Sequence, residues 1–515
     1  MGSRGGARHS MTSFAERCGM QDPARAACIG QLEQRIVASG VEMVRFAWCD
    51  QHGMLRGKTL VASAAARAMT DGVGMVGTLL LKDTSDHTAY KVFEPDDQAT
   101  PPGFACAANL VLLADPHSYR ELPWAAHTGW LLCQPWFQDA TPVHLDTRRV
   151  LQQARSRLAD AGYGMRCGLE VEFHIYRIEA APGELVSAPL DPELAAWPGL
   201  PPRVSMIHPG YNLLNEGWAD MADEPLRIVQ RTALALGLPL LSLEIELGPS
   251  QVEAVFEATD AMTAADNMVL FRNGVTQALR RAGYHATFMC RPPFPNIMSS
   301  GWHLHQSLLD LNSGRNAFTR DAAAPGASSA DAQFVLSATG ENYLAGLLAH
   351  AGGMAAFCTP TINGYGRFRP HALAPMAVSW GRDNRGAMLR VIGTNTTGAD
   401  GYMGDPAAHI ENRIGEPAAN PYLYMAAQIY AGLDGIIRRL KAPGATDRPY
   451  DAGNTPLPSS LGAALAALRA DDRLSEGFGA SFVDYFCALK QSELDRHAKA
   501  QDQHDWERRE YFSRY

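Results

Sequence analysis

A chain of 515 residues, 46% of them hydrophobic and 19% charged, is too long for one ordinary domain and too apolar to stay unfolded. Its net charge of -9 removes any electrostatic reason to expect nucleic acid or an anionic membrane as a partner. The nine cysteines form no CxxC pair, and an odd count in so large a chain argues against a disulfide framework and for a reducing cytoplasm.

The first 32 residues are rich in Gly, Arg and Ala, lack the apolar core of a signal peptide and read as a flexible extension. Val41–Leu60 reads as a hairpin, with Val41, Val44, Phe46 and Trp48 suited to a strand and Asp50-Gln-His-Gly53 to the turn. Within it, Gly53–Thr59 imitates a phosphate-binding loop but is one residue short, which would remove an amide from the cradle. Short strands continue to about Gln134, and Thr141–Asp146 marks a boundary. We therefore expect an N-terminal domain over 33–140 and a larger domain over 141–515. Asp146 caps a helix expected over Thr147–Gly162, with Val150, Leu151, Ala154 and Leu158 on one face. Beyond it, strands and helices mix without regular alternation, which favours α+β over a doubly wound sheet. Arg315–Asp331 reads as a long loop, Pro421–Leu440 as a helix and 457–515 as amphipathic helices. The longest apolar stretch, Leu344–Phe357, is interrupted by His350, so no membrane-spanning helix is expected.

Three segments share one pattern. In Gly168–Tyr176, Leu169, Val171, Phe173 and Ile175 alternate with Glu170, Glu172, His174 and Tyr176. A strand sends alternate side chains to opposite faces, so the two carboxylates lie on one face about 7 Å apart. Leu241–Leu247 repeats this with Glu244 and Glu246, Glu253 follows a short turn, and Trp302–Gln306 offers His303 and His305. An ordinary wet sheet face would mix lysine and threonine with its acids, yet neither acidic strand holds a lysine or arginine. Close carboxylates repel unless a cation neutralises them, and oxygen donors with one imidazole suit Mg²⁺ or Mn²⁺. Downstream, Arg367, Arg369, Arg382, Arg385, Arg390 and Arg413 cluster in a net acidic protein. Such clusters suit phosphate and carboxylate binding, and a metal with arginine clamps is what phosphoryl transfer needs.

These segments, with Thr287–Pro292, Ser300–Ser307, Pro360–Tyr365, Asn384–Arg390, His409–Arg413 and Pro417–Tyr422 in order, resemble the glutamine synthetase superfamily. The resemblance implies a small N-terminal β-grasp domain followed by a large α+β catalytic domain. It also implies active sites shared between neighbouring subunits of a ring, usually a dodecamer. Glu172, Glu246 and Glu253 would then hold one metal ion, and Glu170, His303 and Glu411 the other. His305 and Ser307 resemble nucleotide-site residues, Arg385 and Arg390 phosphate-binding arginines, and Arg367 and Arg413 the pair that grips the acid substrate. Asp50 resembles the aspartate lent by the adjacent subunit to the amine site. The implied reaction has two steps: ATP phosphorylates a carboxylate, and an amine attacks the acyl phosphate.

Two departures bear on the substrates. Family members that use ammonium carry Tyr-Glu-Ala-Pro, whose glutamate helps bind and deprotonate it, where this chain has Ala372-Leu373-Ala374-Pro375, and the run that contacts glutamate, Asn-Gly-Ser-Gly, is altered here to Met298-Ser299-Ser300-Gly301. The expected activity is a γ-glutamyl-amide ligase using an organic amine. The alternatives are a true glutamine synthetase and an inactive structural member, and the complete metal-ligand set argues against the latter.

Overall fold

A computed structural model describes residues 12–20, 22–94, 100–179, 195–320, 335–370, 372–398 and 401–515. The chain divides into two compact units. One comprises residues up to Asp50 with Leu55–Leu80 and Tyr90–Asp146, and the other comprises Gln51–Met54, Leu81–Ala89 and Thr147–Tyr515.

The first unit opens with helices α1 (Phe14–Arg17) and α2 (Pro23–Ala38). This corrects the expectation of a flexible extension over 1–32 for residues 12–20 and 22–32, the remainder lying outside the described residues. Ser13 and Glu16 form a reciprocal capping box, and Phe14 and Ala15 are buried against Leu113 and Trp136. The Arg25 guanidinium is buried too, donating to the carbonyls of Met69 and Ala114 at 2.9 and 2.8 Å. Strands β1 (Met43–Cys49) and β2 (Leu55–Val61) form the expected antiparallel hairpin. Helix α3 (Ala62–Asp71) precedes β3 (Val73–Val76), β4 (Asn109–Ala114), β5 (Arg120–Glu121) and β6 (Thr128–Trp136). The sheet runs β2-β1-β6-β4-β3, with β1 parallel to β6 and β5 beside β6.

The second unit is built on β7 (Tyr163–Ile178), which follows helix α4 (Thr147–Asp160). Leu169, Val171, Phe173 and Ile175 face the core, where Phe173 stacks on Phe288 at 4.9 Å. Next come β8 (Val204–Met206), helices α5 (Glu216–Met221) and α6 (Asp223–Ala235), β9 (Leu240–Ile245) and β10 (Gln251–Asp260). Helix α7 (Ala261–Arg281), β11 (Tyr284–Thr287) and β12 (Trp302–Asp310) follow. Helices α8 (Ala338–Ala349) and α9 (Ala351–Cys358) then lead to β13 (Trp380–Arg382), β14 (Leu389–Ile392), a small ribbon of β15 (Thr396–Gly398) and β16 (Gly401–Met403), and β17 (His409–Asn412). The main sheet has the order β13-β14-β17-β12-β7-β10-β9, which puts β7 near its centre.

Helix α10 (Pro421–Arg438) is capped by Asn420 and buried along most of its length. It closes on α8 so tightly that a Cβ at Gly346 would sit 2.2 Å from the Ala431 carbonyl, so glycine is required there. The C-terminal region is helical, as expected, through α11 (Leu461–Arg469), α12 (Asp472–Phe478), α13 (Ala480–Ala498) and α14 (Gln503–Glu507). Most of the expected loop Arg315–Asp331 lies outside the described residues. Among the described residues no helix is long and apolar enough to cross a membrane, and all nine cysteines are free.

Candidate active site

Register converts the alternating strands into a cluster. Glu170 of β7 stands opposite His303 of β12, and Glu172 stands opposite Glu253 of β10. Glu253 in turn stands opposite Glu244 of β9, and His305 opposite Glu411 of β17. Directly opposed residues share a face, so one face of the sheet gathers acids from β7, β9, β10 and β17 around the imidazoles of β12. Two triads offer ligand atoms within 4.8 Å of one another: Glu170, His303 and Glu411, and Glu172, Glu253 and His303. Glu246 lies just past the end of β9, its carboxylate accepting the Leu247 N–H at 3.0 Å, and lines the same cavity. Farther along β7 the polar face is covered: His174 and Tyr176 are buried, His174 beside Ser300 and Tyr176 against Phe294 and Phe512.

The electrostatics divide the acids into two groups. Burial, with the neighbouring carboxylates, pushes Glu253 up to about 10 and Glu172 up to about 8. Burial acts on Glu411 in the same direction, but nearby positive groups outweigh it and hold its carboxyl at about 2. His303 is itself driven down to about 4 by burial, so its imidazole is neutral near pH 7. Among the groups that hold Glu411 down, His303, Arg413, His305 and Arg390, the two arginines carry permanent charge. Arg390 bonds Glu411 at 2.9 Å and Arg413 bonds its other oxygen. Burial alone would also raise Glu170, yet hydrogen bonds from His303 and His305 bring it below the usual carboxylate range. Buried acids that resist ionising together, around a neutral imidazole, fit a hard divalent cation, which would relieve the repulsion and accept those oxygens.

The arginines complete the wall. Arg367 is buried, donates to the Arg413 carbonyl at 2.8 Å, and has Nη2 3.3 Å from His303 Nε2. Gly301 makes this approach possible, because a Cβ there would lie 2.5 Å from the Arg367 guanidinium. Arg413 donates to the carbonyls of Arg385 and Leu373 at 3.0 and 3.2 Å. The side chains of Arg367, Arg385 and Arg413 line a cavity of about 370 Å³ with Glu170, Glu172, Glu246, Glu253 and His303. Arg390 is engaged by Asp383 and Glu411, and Arg369 lines a different cavity beside Arg291 and Glu507. His305 is 3.1 Å from Glu170 and 3.0 Å from His409, and Ser307 lies two residues farther along β12. Asp50 sits in the first unit, buried and paired with Arg56 at 2.7 Å.

Sequence reasoning missed Gln251. Its amide donates to Glu172 at 3.0 Å, to the Ser299 carbonyl at 3.2 Å and to Ser300 at 3.1 Å. The signal was present, since Gln251 shares its face of β10 with Glu253 two residues on. Leu213 and Leu214, which also line the cavity, lie in a loop without periodicity and left no such signal.

A sheet face holding a candidate divalent-cation donor set beside convergent arginines has the donor chemistry that metal-assisted phosphoryl transfer requires. Residues 144–511 match the glutamine synthetase catalytic domain. The chain is 36% identical over 497 residues to γ-glutamylanilide synthase of Acinetobacter sp, covering 92% of this chain and 93% of that one. It is 28% identical to γ-glutamylethanolamide synthetase GlnA4 of Streptomyces coelicolor, covering 94% and 96%. It is 30% identical to glutamine synthetase of Thermus thermophilus, covering 85% and 89%. Among solved structures, a glutamine synthase homolog superposes with a TM-score of 0.72 at 26% identity over 92% of this chain and 99% of that one. The GmaS/ADP complex does so with 0.71 at 26% identity, over 93% and 98%. The chain belongs to the glutamine synthetase family and is an ATP-dependent carbon–nitrogen ligase of that type.

Proposed function

We propose that the chain joins the γ-carboxylate of glutamate to an organic primary amine, converting ATP to ADP and phosphate. The observation that carries this reading is one cavity lined by the acids, His303, Arg367, Arg385 and Arg413, with Leu373 where an ammonium-using site would need a carboxylate. Two similar proteins, named for γ-glutamylanilide and γ-glutamylethanolamide, support it.

In this reading Glu172, Glu246 and Glu253 hold one divalent ion, and Glu170, His303 and Glu411 the other, with Mg²⁺ or Mn²⁺ as candidates. Bound there, the ions supply charge neutralisation for the phosphates. His305, Ser307, Arg385 and Arg390 serve the nucleotide. Arg367 and Arg413 orient the acid, whose γ-oxygen takes the terminal phosphoryl group and releases ADP. The amine then attacks the acyl phosphate carbon, phosphate leaves, and the nitrogen gives up a proton. Arg367 and Arg385 stabilise negative charge as it builds on the phosphoryl and carbonyl oxygens. We also propose a homo-oligomeric ring in which Asp50 completes a neighbour's amine site, an N-terminal domain of β-grasp type, and a cytoplasmic location.

The test is incubation of the purified protein with glutamate, ATP, Mg²⁺ and a panel of amines, following phosphate release and amide mass together. Glutamate-dependent phosphate release matched by an organic γ-glutamyl amide is expected. Glutamine as the main product, with no organic amine preferred, would overturn the reading.

A further inference from the structure

The active-site cavity has two chemically distinct kinds of lining. One is the acid, imidazole and arginine cluster described above. The other is Leu213, Leu214, Met298 and Leu373, brought from three separate loops. Leucine side chains so exposed in a cavity are unusual: Leu213 is 48%, Leu214 62% and Leu373 55% accessible. Leu214 and Leu373 also hold left-handed backbone, with φ of 56° and 51°, which L-residues other than Asn and Asp rarely adopt.

These loops are pinned to the chemical centre. The Leu214 N–H donates to the Ile245 carbonyl at 3.0 Å, and the Tyr211 N–H to the Leu247 carbonyl at 2.6 Å, on either side of Glu246. Met298 packs on Gly248, where a Cβ would come within 2.8 Å of the methionine side chain. The carbonyl of Leu373 accepts from Arg413, which the proposed function assigns to the acid substrate. Leu373 is therefore one hydrogen bond from the arginine assigned to the acid substrate.

We propose that Leu213, Leu214, Met298 and Leu373 form the acceptor subsite and select a primary amine with an aromatic or compact cyclic body. An amine bearing a distal hydroxyl or a second ammonium is disfavoured to the extent that its polar end leaves water to lie against leucine. Apolar surface on the amine is rewarded in proportion to the area the wall covers. This inference rests on the ligase reading and names its amine class.

The experiment compares kcat/KM for aniline, cyclohexylamine, ethanolamine and putrescine, at saturating glutamate, ATP and Mg²⁺, in the wild type, Leu214→Asn and Leu373→Asn. Asparagine tolerates the left-handed conformation, so the backbone is preserved while the apolar surface is lost. The ratio of aniline or cyclohexylamine to ethanolamine should exceed about tenfold in the wild type and fall by about tenfold or more in each variant. Because the ratio is taken within one preparation, partial misfolding cancels. Ethanolamine or putrescine as the best substrate, or a ratio that the variants leave unchanged, would overturn the wall while leaving the ligase intact. An unchanged ratio with an altered sedimentation coefficient would assign the leucines to a subunit contact and likewise overturn it. No amide from glutamate with any amine would overturn the ligase reading and this inference with it.

Discussion

The Arg413 guanidinium donates to the main-chain carbonyl of Leu373 at 3.2 Å while its other nitrogens hold Glu411 and the Arg385 carbonyl. One side chain thereby ties an expected metal ligand, a cavity arginine and the residue that replaces the family's ammonium-site glutamate. In the proposed reading, metal site, acid site and amine site are mechanically joined, so changes in one should be read out in the others.

The amine preference follows from that junction. Ammonium is small and strongly hydrated, and its site needs a carboxylate to replace water and take a proton. Leu373→Glu should shift the kcat/KM ratio of organic amine to ammonium toward ammonium by about tenfold, a change of about 1.4 kcal/mol. Steady-state rates on both nucleophiles, measured in wild type and variant, check this.

Glu172→Ala removes an expected ligand and one of the mutually repelling buried acids. ATP turnover should fall more than about 100-fold. Without divalent ions the melting temperature should hold or rise, because a destabilised charge has gone. Mg²⁺ should raise the wild-type melting temperature and raise that of the variant less. Thermal melts in EDTA and in Mg²⁺ settle the point, and equal Mg²⁺ shifts in the two proteins would remove Glu172 from the metal site.

Gln251→Ala leaves a Glu172 oxygen, the Ser299 carbonyl and the Ser300 hydroxyl without this donor. A cost of about 1–3 kcal/mol in stability is expected. Turnover should drop about tenfold as Glu172 loses its orientation. Gln251→Glu should be worse than alanine, since it adds a carboxylate to the repelling cluster. Denaturant titration with turnover measurements tests both statements.

His350 is buried between helices α8 and α9, 2.8 Å from Asp471 and 3.0 Å from Asp434, which also meets Arg438 at 3.0 Å. Burial would lower its pKa, but the hydrogen bonds to Asp471 and Asp434 raise it above the ordinary histidine value. A raised histidine stabilises the fold fully below its unfolded pKa and loses that contribution as pH rises through the folded one. As pH rises through the folded pKa, the wild type should therefore lose more stability than His350→Gln. Urea midpoints below and above that pKa give the comparison.

If Asp50 completes a neighbour's site, activity belongs to the assembly. Light scattering across a dilution series should show turnover falling together with the oligomer, and a fully active monomer would contradict the shared site. Asp50 is paired with Arg56 within its own subunit. Arg56→Ala should therefore raise the KM for the amine by freeing the carboxylate to move.

Strand chemistry was legible in the sequence because strands have a period. The alternation in Gly168–Tyr176 alone put Glu170 and Glu172 on one face, and the absence of lysine or arginine beside them implied a cation. The hairpin before Val61, helix α10 and the C-terminal helices were readable for the same reason: turn residues, caps and periodic apolar faces are local signals. The pairing of β7 with β12 and β10 was not local. Register between strands far apart in sequence, set by how their apolar faces pack, decided that Glu170 meets His303 and Glu172 meets Glu253. The same packing drives Glu172 and Glu253 up while Arg390 and Arg413 hold Glu411 down. Helices α1 and α2 were missed because a glycine- and arginine-rich segment has little intrinsic order, and burial of Phe14 and Arg25 supplies it. Leu213, Leu214 and Leu373 lie in loops, where no periodicity says which way a side chain points. Only the fold brings them to the cavity that holds the acids.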